Sequence, residues 1–217
     1  FSFLNILANN FLPVIRALYA GEGMEKLQEI IRQCNSLTAE MKFKRTPRNV
    51  AATALFDLSY EHAASIDILC DQDRHGSAAA LFRSCAEAYI RGSWVLYCAT
   101  DVEVTNTLES NKKGKPLSTL VNELIDKDQG YDFLTRYAKS SLKNILDSLS
   151  HGKSTQIGHR FDGNSIGFIN DPEVIKVLIQ EACLFSLLSH ASIAEIAQDE
   201  SMGAKVTEFF GQMQKSV

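Results

Sequence analysis

Arg83, Glu87 and Arg91 stand four residues apart in SAAALFRSCAEAYIRGSWVLYCAT (Ser77–Thr100), a run otherwise made mostly of apolar and small side chains. A helix advances about 100° per residue, so each step of four drifts by only about 40° and all three project from one side, with Trp94 on the same stripe. Two guanidinium groups and a carboxylate placed in this way can hold a phosphate, or can pair with acids on a neighbouring helix and fix its register. A helix that is apolar nearly all round is expected to be buried, and buried charges must be paired or put to use.

A second helical run, RNVAATALFDLSYEHAASIDILC (Arg48–Cys70), places Asp57, Glu61 and Ser65 on one line and His62 in an apolar stripe with Leu55, Leu58, Ile66 and Leu69. If the two helices pair closely, Asp57 and Glu61 neutralise Arg83 and Arg91. The result is either a structural charge cluster or a network that leaves one guanidinium for an anion. His62 reads either as a core histidine with one satisfied ring nitrogen or as a proton-transfer group beside the arginines. Further along, His151 closes a helix before Gly152, where the macrodipole favours a protonated imidazole. His159 and Arg160 alternate along a strand and so point to opposite faces, one of which can line a cleft.

A histidine acting as acid or base, with arginine stabilising a pentavalent phosphate, suffices for metal-independent RNA cleavage. The candidate catalytic residues are therefore His151, His62 and Arg83, and the candidate binding residues Arg91, Glu87, Glu61, His159 and Arg160. The basic segment KFKRTPR (Lys42–Arg48) reads as a phosphate contact or as a cationic helix terminus with a solvated linker.

Helical periodicity dominates the rest of the chain. Helices are expected over Ser2–Leu18, bent at Pro13, over Met24–Met41, and from a Thr46 cap with Pro47 at the first helical position to Cys70. Ser77 is expected to cap the charged helix, which runs to Thr100. The short link between these two helices predicts a central antiparallel hairpin. Asp101–Asn111 and Pro116–Asp126 read as short helices around the solvated loop NKKGKP (Asn111–Pro116), and Tyr131–Ser150 as a longer one. Alternation about Asp162-Gly163-Asn164 predicts a β-hairpin within Ser154–Asn170. A long helix over Glu173–Gln198, and a final amphipathic helix or frayed tail over Ser201–Val217, complete an all-α bundle. One helical domain over residues 1–217 is expected, with 1–41 as an appendage or dimerisation element.

With 217 residues and 45% hydrophobic content the chain can bury a large core. Its formal net charge of -4 argues against wholesale binding to duplex nucleic acid. Five cysteines, odd in number and without CxxC spacing, suit reduced core thiols in a cytosol, with neither a disulfide nor a zinc site. The opening FSFLNILANNFLPVIRALYAG reads poorly as a signal peptide or membrane span, since polar residues interrupt it and no basic leader precedes it. Phosphate-loop, dinucleotide, HExxH and GxSxG motifs are absent. No ExxH occurs, which argues against a di-iron site. No cofactor or metal is implied.

Taken together, SYEHAAS (Ser59–Ser65), GSAAALFRSCAEAYIRGSWVLYCATD (Gly76–Asp101) and SLSHG (Ser148–Gly152) resemble a bacterial family of small helical proteins of unknown function, itself similar to the broad HEPN-like group. The resemblance spans roughly residues 47 to 197 and is most specific in Phe82–Thr100, with its RxxxExxxR spacing. It implies an all-helical, dimeric, cytosolic protein with RNA or a nucleotide as ligand, acting in phage defence or a toxin–antitoxin pair. HEPN nucleases carry Arg, four to six residues, then His. No arginine of this chain stands at that interval before any of the five histidines. A noncatalytic interaction protein or homodimer with a structural charge network is the alternative, and a pocket for a small acidic ligand a third.

Overall fold

Helix starts and stops are set by local chemistry along most of the chain. The Thr46 side chain accepts a hydrogen bond from the Asn49 amide at 3.1 Å, Pro47 takes the first helical position, and the helix continues to Asp71. A tight link follows in which Asp73 takes a left-handed φ of 56°. The next helix then starts at His75, two residues before the expected Ser77 cap. Its flanking residue Arg74 provides no side-chain cap, and Ser77 lies inside the helix. Thr100 and Glu103 form a reciprocal capping box: the Thr100 amide donates to the Glu103 carboxylate at 2.8 Å and the Glu103 amide to the Thr100 hydroxyl at 3.3 Å.

A computed structural model describes residues 24–34, 36–37, 42–109, 114–139, 144, 157–158, 160–162, 165–166 and 172–215. Within them lie α1 (Met24–Cys34), α2 (Pro47–Asp71), α3 (His75–Tyr97), α4 (Asp101–Glu109), α5 (Leu117–Lys127), a 3-10 turn (Gln129–Leu134), α6 (Thr135–Lys139), α7 (Pro172–Ala197) and α8 (Glu200–Lys215). The protein is all-α. Met24–Met41 was expected as one helix, but α1 closes at Cys34 and a turn follows at Ser36 and Leu37. The segment expected to enter its helix at Tyr131 does so through the 3-10 turn, because the Asp128 side chain takes the Gly130 amide at 2.8 Å and tightens the start. Phe161–Asp162 and Ser165–Ile166 run antiparallel in the register Phe161 to Ile166. Two residues a side do not make the hairpin expected over Ser154–Asn170, most of which lies outside the described residues, as does the expected helix Ser2–Leu18.

The α2–α3 hairpin is antiparallel, since Arg48 meets Val95, Phe56 meets Tyr89 and Gly92, and Ser59 meets Cys85. The Ser59 hydroxyl donates to the Cys85 carbonyl at 2.9 Å. Arg48, a candidate phosphate contact, is committed elsewhere: it donates to the Val95 carbonyl at 2.7 Å and to Asp101 at 2.8 Å, closing the C-terminal end of α3. Helix α7 fills the core of the bundle. It is long and apolar enough to cross a membrane by length and composition, yet 89% of that window is buried inside the protein. Its Phe185 lies 5.0 Å from Tyr137, 5.5 Å from Tyr89 and 5.8 Å from Phe82, joining α3, α6 and α7. Helix α1 joins the same core through Leu27, Ile30, Ile31 and Cys34, and its Arg32 bonds Asp67 at 3.1 Å and Asp71 at 2.6 Å on α2.

A β-carbon added at Gly92 would stand 2.9 Å from two ring carbons of the fully buried Phe56 and 3.3 Å from the β-carbon of Leu55. Gly92→Ala should therefore destabilise the fold by about 1–2 kcal/mol through overpacking, outweighing alanine's better helix propensity. Urea unfolding reads this as a lower midpoint at unchanged slope; a midpoint at or above that of the parent chain would show that the ring can move aside.

Candidate functional site

Arg83, Glu87 and Arg91 come together as their spacing requires. Arg91 donates through Nε at 2.8 Å and lies with Nη2 at 2.6 Å from the same oxygen, Oε1 of Glu87. Arg83 Nη2 stands 3.5 Å from Oε2 of that carboxylate. One acid thus serves both guanidinium groups. The stripe is not deeply buried: the Arg83 side chain is 13% exposed, and Glu87 and Arg91 are each 33% exposed.

The expected partners Asp57 and Glu61 lie elsewhere. On α3 the residues packed against α2 include Cys85, Tyr89 and Gly92, and the charged stripe lies about 100–180° around the helix from them. Asp57 and Glu61 stand exposed on the outer side of α2. Partial desolvation and then the neighbouring Glu61 charge raise the Asp57 carboxyl above its ordinary range, opposite to the effect of an arginine partner. The two charged lines therefore occupy opposite sides of the hairpin. His62 shares α2 with them; burial lowers its pKa and Glu61 raises it by a smaller amount. Arg160 is exposed one residue before the first strand. His151 and His159 lie outside the described residues.

Of the other histidines, His190 is fully buried. Its Nδ1 lies 2.7 Å from the Ser186 carbonyl and its ring stands edge-on to Tyr60 at 4.6 Å, so it is a core residue that burial keeps neutral. The five cysteines are free thiols. Burial pushes Cys34, Cys70 and Cys85 up to about 12, which makes them poor nucleophiles. Among the described residues no group of three His, Cys, Asp or Glu side chains could hold a metal ion.

Sequence reasoning missed what the stripe faces. Lys115, expected in a solvated loop, reaches Glu103 on α4 and Glu123 on α5, both at 2.8 Å, and lies 4.8 Å above the Trp94 ring. The Trp94 indole donates to the other oxygen of Glu123 at 2.5 Å. Beside it, a β-carbon at Gly114 would approach Arg91 Nη1 to 3.1 Å, so the loop backbone rests against the guanidinium. The Thr100-x-x-Glu103 pattern was legible as a capping box; the additional pairing of Glu103 with Lys115 was not, because no local spacing encodes it.

Residues 56–216 match the model of a family described as a family of unknown function, DUF6988. The chain belongs to this family. Neither a curated protein nor a solved structure matches it. The DUF6988 match takes in the whole stripe, the Lys115 clamp, α7 and α8.

Lys115 holds Glu103 down at about 2, with the Thr100 amide adding to the effect, and also lowers Glu123. A carboxyl depressed in the folded state contributes stability that is complete above its ordinary pKa of 4.5 and lost as pH falls toward the folded value. Lys115→Met should therefore remove part of the stability loss seen between about pH 4.5 and pH 2, measured as the difference in urea midpoint between variant and parent across that window. Parallel pH profiles would show that the clamp contributes nothing to acid sensitivity.

Proposed function

We propose that this chain is a noncatalytic helical interaction protein in which the charged stripe pairs along α3 and Lys115 ties α3 to α4 and α5. One observation carries the reading: the seam is balanced, with Arg83, Arg91 and Lys115 set against Glu87, Glu103 and Glu123 in direct ion pairs. A phosphate site needs surplus positive charge, and general acid–base cleavage needs a titrating group beside it. The described part of the seam supplies neither an unbalanced cluster nor a histidine.

The outer face of α2 suits a protein partner better. Ala54, Asp57, Leu58, Glu61 and Ile68 share it, with Leu58 at 40% and Ile68 at 61% exposure. An apolar strip flanked by two acids favours a partner that brings apolar and basic groups. The proposed kinship to HEPN-like domains draws on the sequence motifs around Ser59–Ser65, Gly76–Asp101 and Ser148–Gly152, and extends to architecture alone.

The test pairs stability with binding. In a double-mutant cycle of Glu87→Gln and Arg91→Gln, the coupling energy should be about 0.5–1 kcal/mol, as for a partly exposed ion pair. The purified chain should neither retain single-stranded RNA on a filter nor cleave it. RNA retention or cleavage that Arg91→Gln weakens would overturn the noncatalytic reading in favour of an RNA-binding protein.

A further inference from the structure

The outer strip of α2 is bare along three turns. Ala54, Leu58, Glu61 and Ile68 lie within about 80° of one another around the helix, with Asp57 beside them, and all five are exposed. Asp67, Asp71 and Asp101 each meet an arginine, whereas neither Asp57 nor Glu61 has an ion pair among the described residues. Apolar side chains left open next to unpaired acids mark a surface that something covers.

The chain enters the described fold beside this strip. Gln28 donates to Asp71 at 2.7 Å, and Arg32 donates to Asp71 at 2.6 Å and to Asp67 at 3.1 Å. Helix α1 therefore runs back along the last turns of α2, with its N-terminus toward the end of that helix. Asp71 stands about 60° around α2 from Ile68 and less than one turn further along. Residues 1–23, outside the described part of the chain, precede Met24 and so join the molecule near the Ile68 end of the strip. From Ile68 to Ala54 the helix rises about 21 Å, a distance that twenty residues span even when coiled.

The composition of that segment matches the strip. FSFLNILANNFLPVIRALYA (Phe1–Ala20) is mostly apolar, and Arg16 is its one charged residue. A lone cation among apolar groups complements Leu58 and Ile68 beside two acids. Through the short link Gly21-Glu22-Gly23 the segment acts at an effective concentration on the order of millimolar. A second copy packed strip to strip about its centre would instead set four carboxylates together. We propose that residues 1–20 lie over the outer face of α2 as a built-in cover, with Arg16 facing Asp57 and Glu61. The inference rests on the reading of this face as a docking surface, and an outside partner then has to displace the segment.

In the full chain, Ile68 is replaced by the photocrosslinking residue p-benzoylphenylalanine, and Leu58 in a second version; both positions are exposed and tolerate the change. After irradiation of a dilute solution, mass spectrometry should find a monomer-mass adduct joining α2 to a peptide from residues 1–20. Arg16→Glu should lower the adduct yield several-fold, and Arg16→Glu combined with Glu61→Arg should restore it. The proposal is overturned if neither position gives an adduct with residues 1–20, or if Arg16→Glu leaves the yield unchanged. Adducts at dimer mass alone overturn it in favour of a second copy, and the face then remains a docking surface. RNA retention or cleavage, by contrast, strikes the noncatalytic reading and leaves the adducts as they are.

Discussion

The close approach of α2 and α3 at Gly92 fixes the geometry of the whole molecule. Because Gly92 has no side chain, the Phe56 ring lies directly against the α3 backbone, and Ser59 can reach the Cys85 carbonyl one turn further on. That contact commits one side of α3 to α2. Tyr89 is placed toward Phe56 and Phe185, and the charged stripe lies on the far side, where the loop at Gly114 rests against Arg91. A bulkier residue at Gly92 would lever the two helices apart and disturb the aromatic cluster and the stripe together.

The exposure of the stripe explains how its charges are tolerated. At one-third exposure, Glu87 and Arg91 keep much of their hydration, so an intrahelical pair needs no deep compensation and contributes modestly. Lys115 acts differently. It joins carboxylates from two other helices and covers an indole on a third, so its contribution is topological as well as electrostatic. Arg48 and Arg32 follow the same pattern, each tying one helix to the next through acids or a terminal carbonyl.

Much of the helical architecture was legible, because caps and periodicity are local. Thr46-Pro47 announced α2, the i, i+4, i+8 spacing announced the stripe, and the expected helix Glu173–Gln198 matches α7 to within a residue at each end. Which faces meet was not legible. Asp57 and Glu61 have the right charge to meet Arg83 and Arg91, but small-residue packing at Gly92 and Ser59 decided the orientation and turned them apart. Charge complementarity in a sequence identifies pairs that are possible; steric fit selects among them. Lys115 escaped notice because its two partners come from different helices, and the tyrosines around Glu195 because each reads as an ordinary core aromatic.

Two polar centres of the bundle are separated by how their charge is accounted for, not by whether charge is present. In the outer seam three cations face three carboxylates, with partial access to water, and nothing further is needed to explain their persistence. Around Glu195 on α7 a neutral partner replaces the ion pair: burial raises the half-buried carboxyl, and the side-chain hydrogen bond with Tyr97 of α3 draws it back.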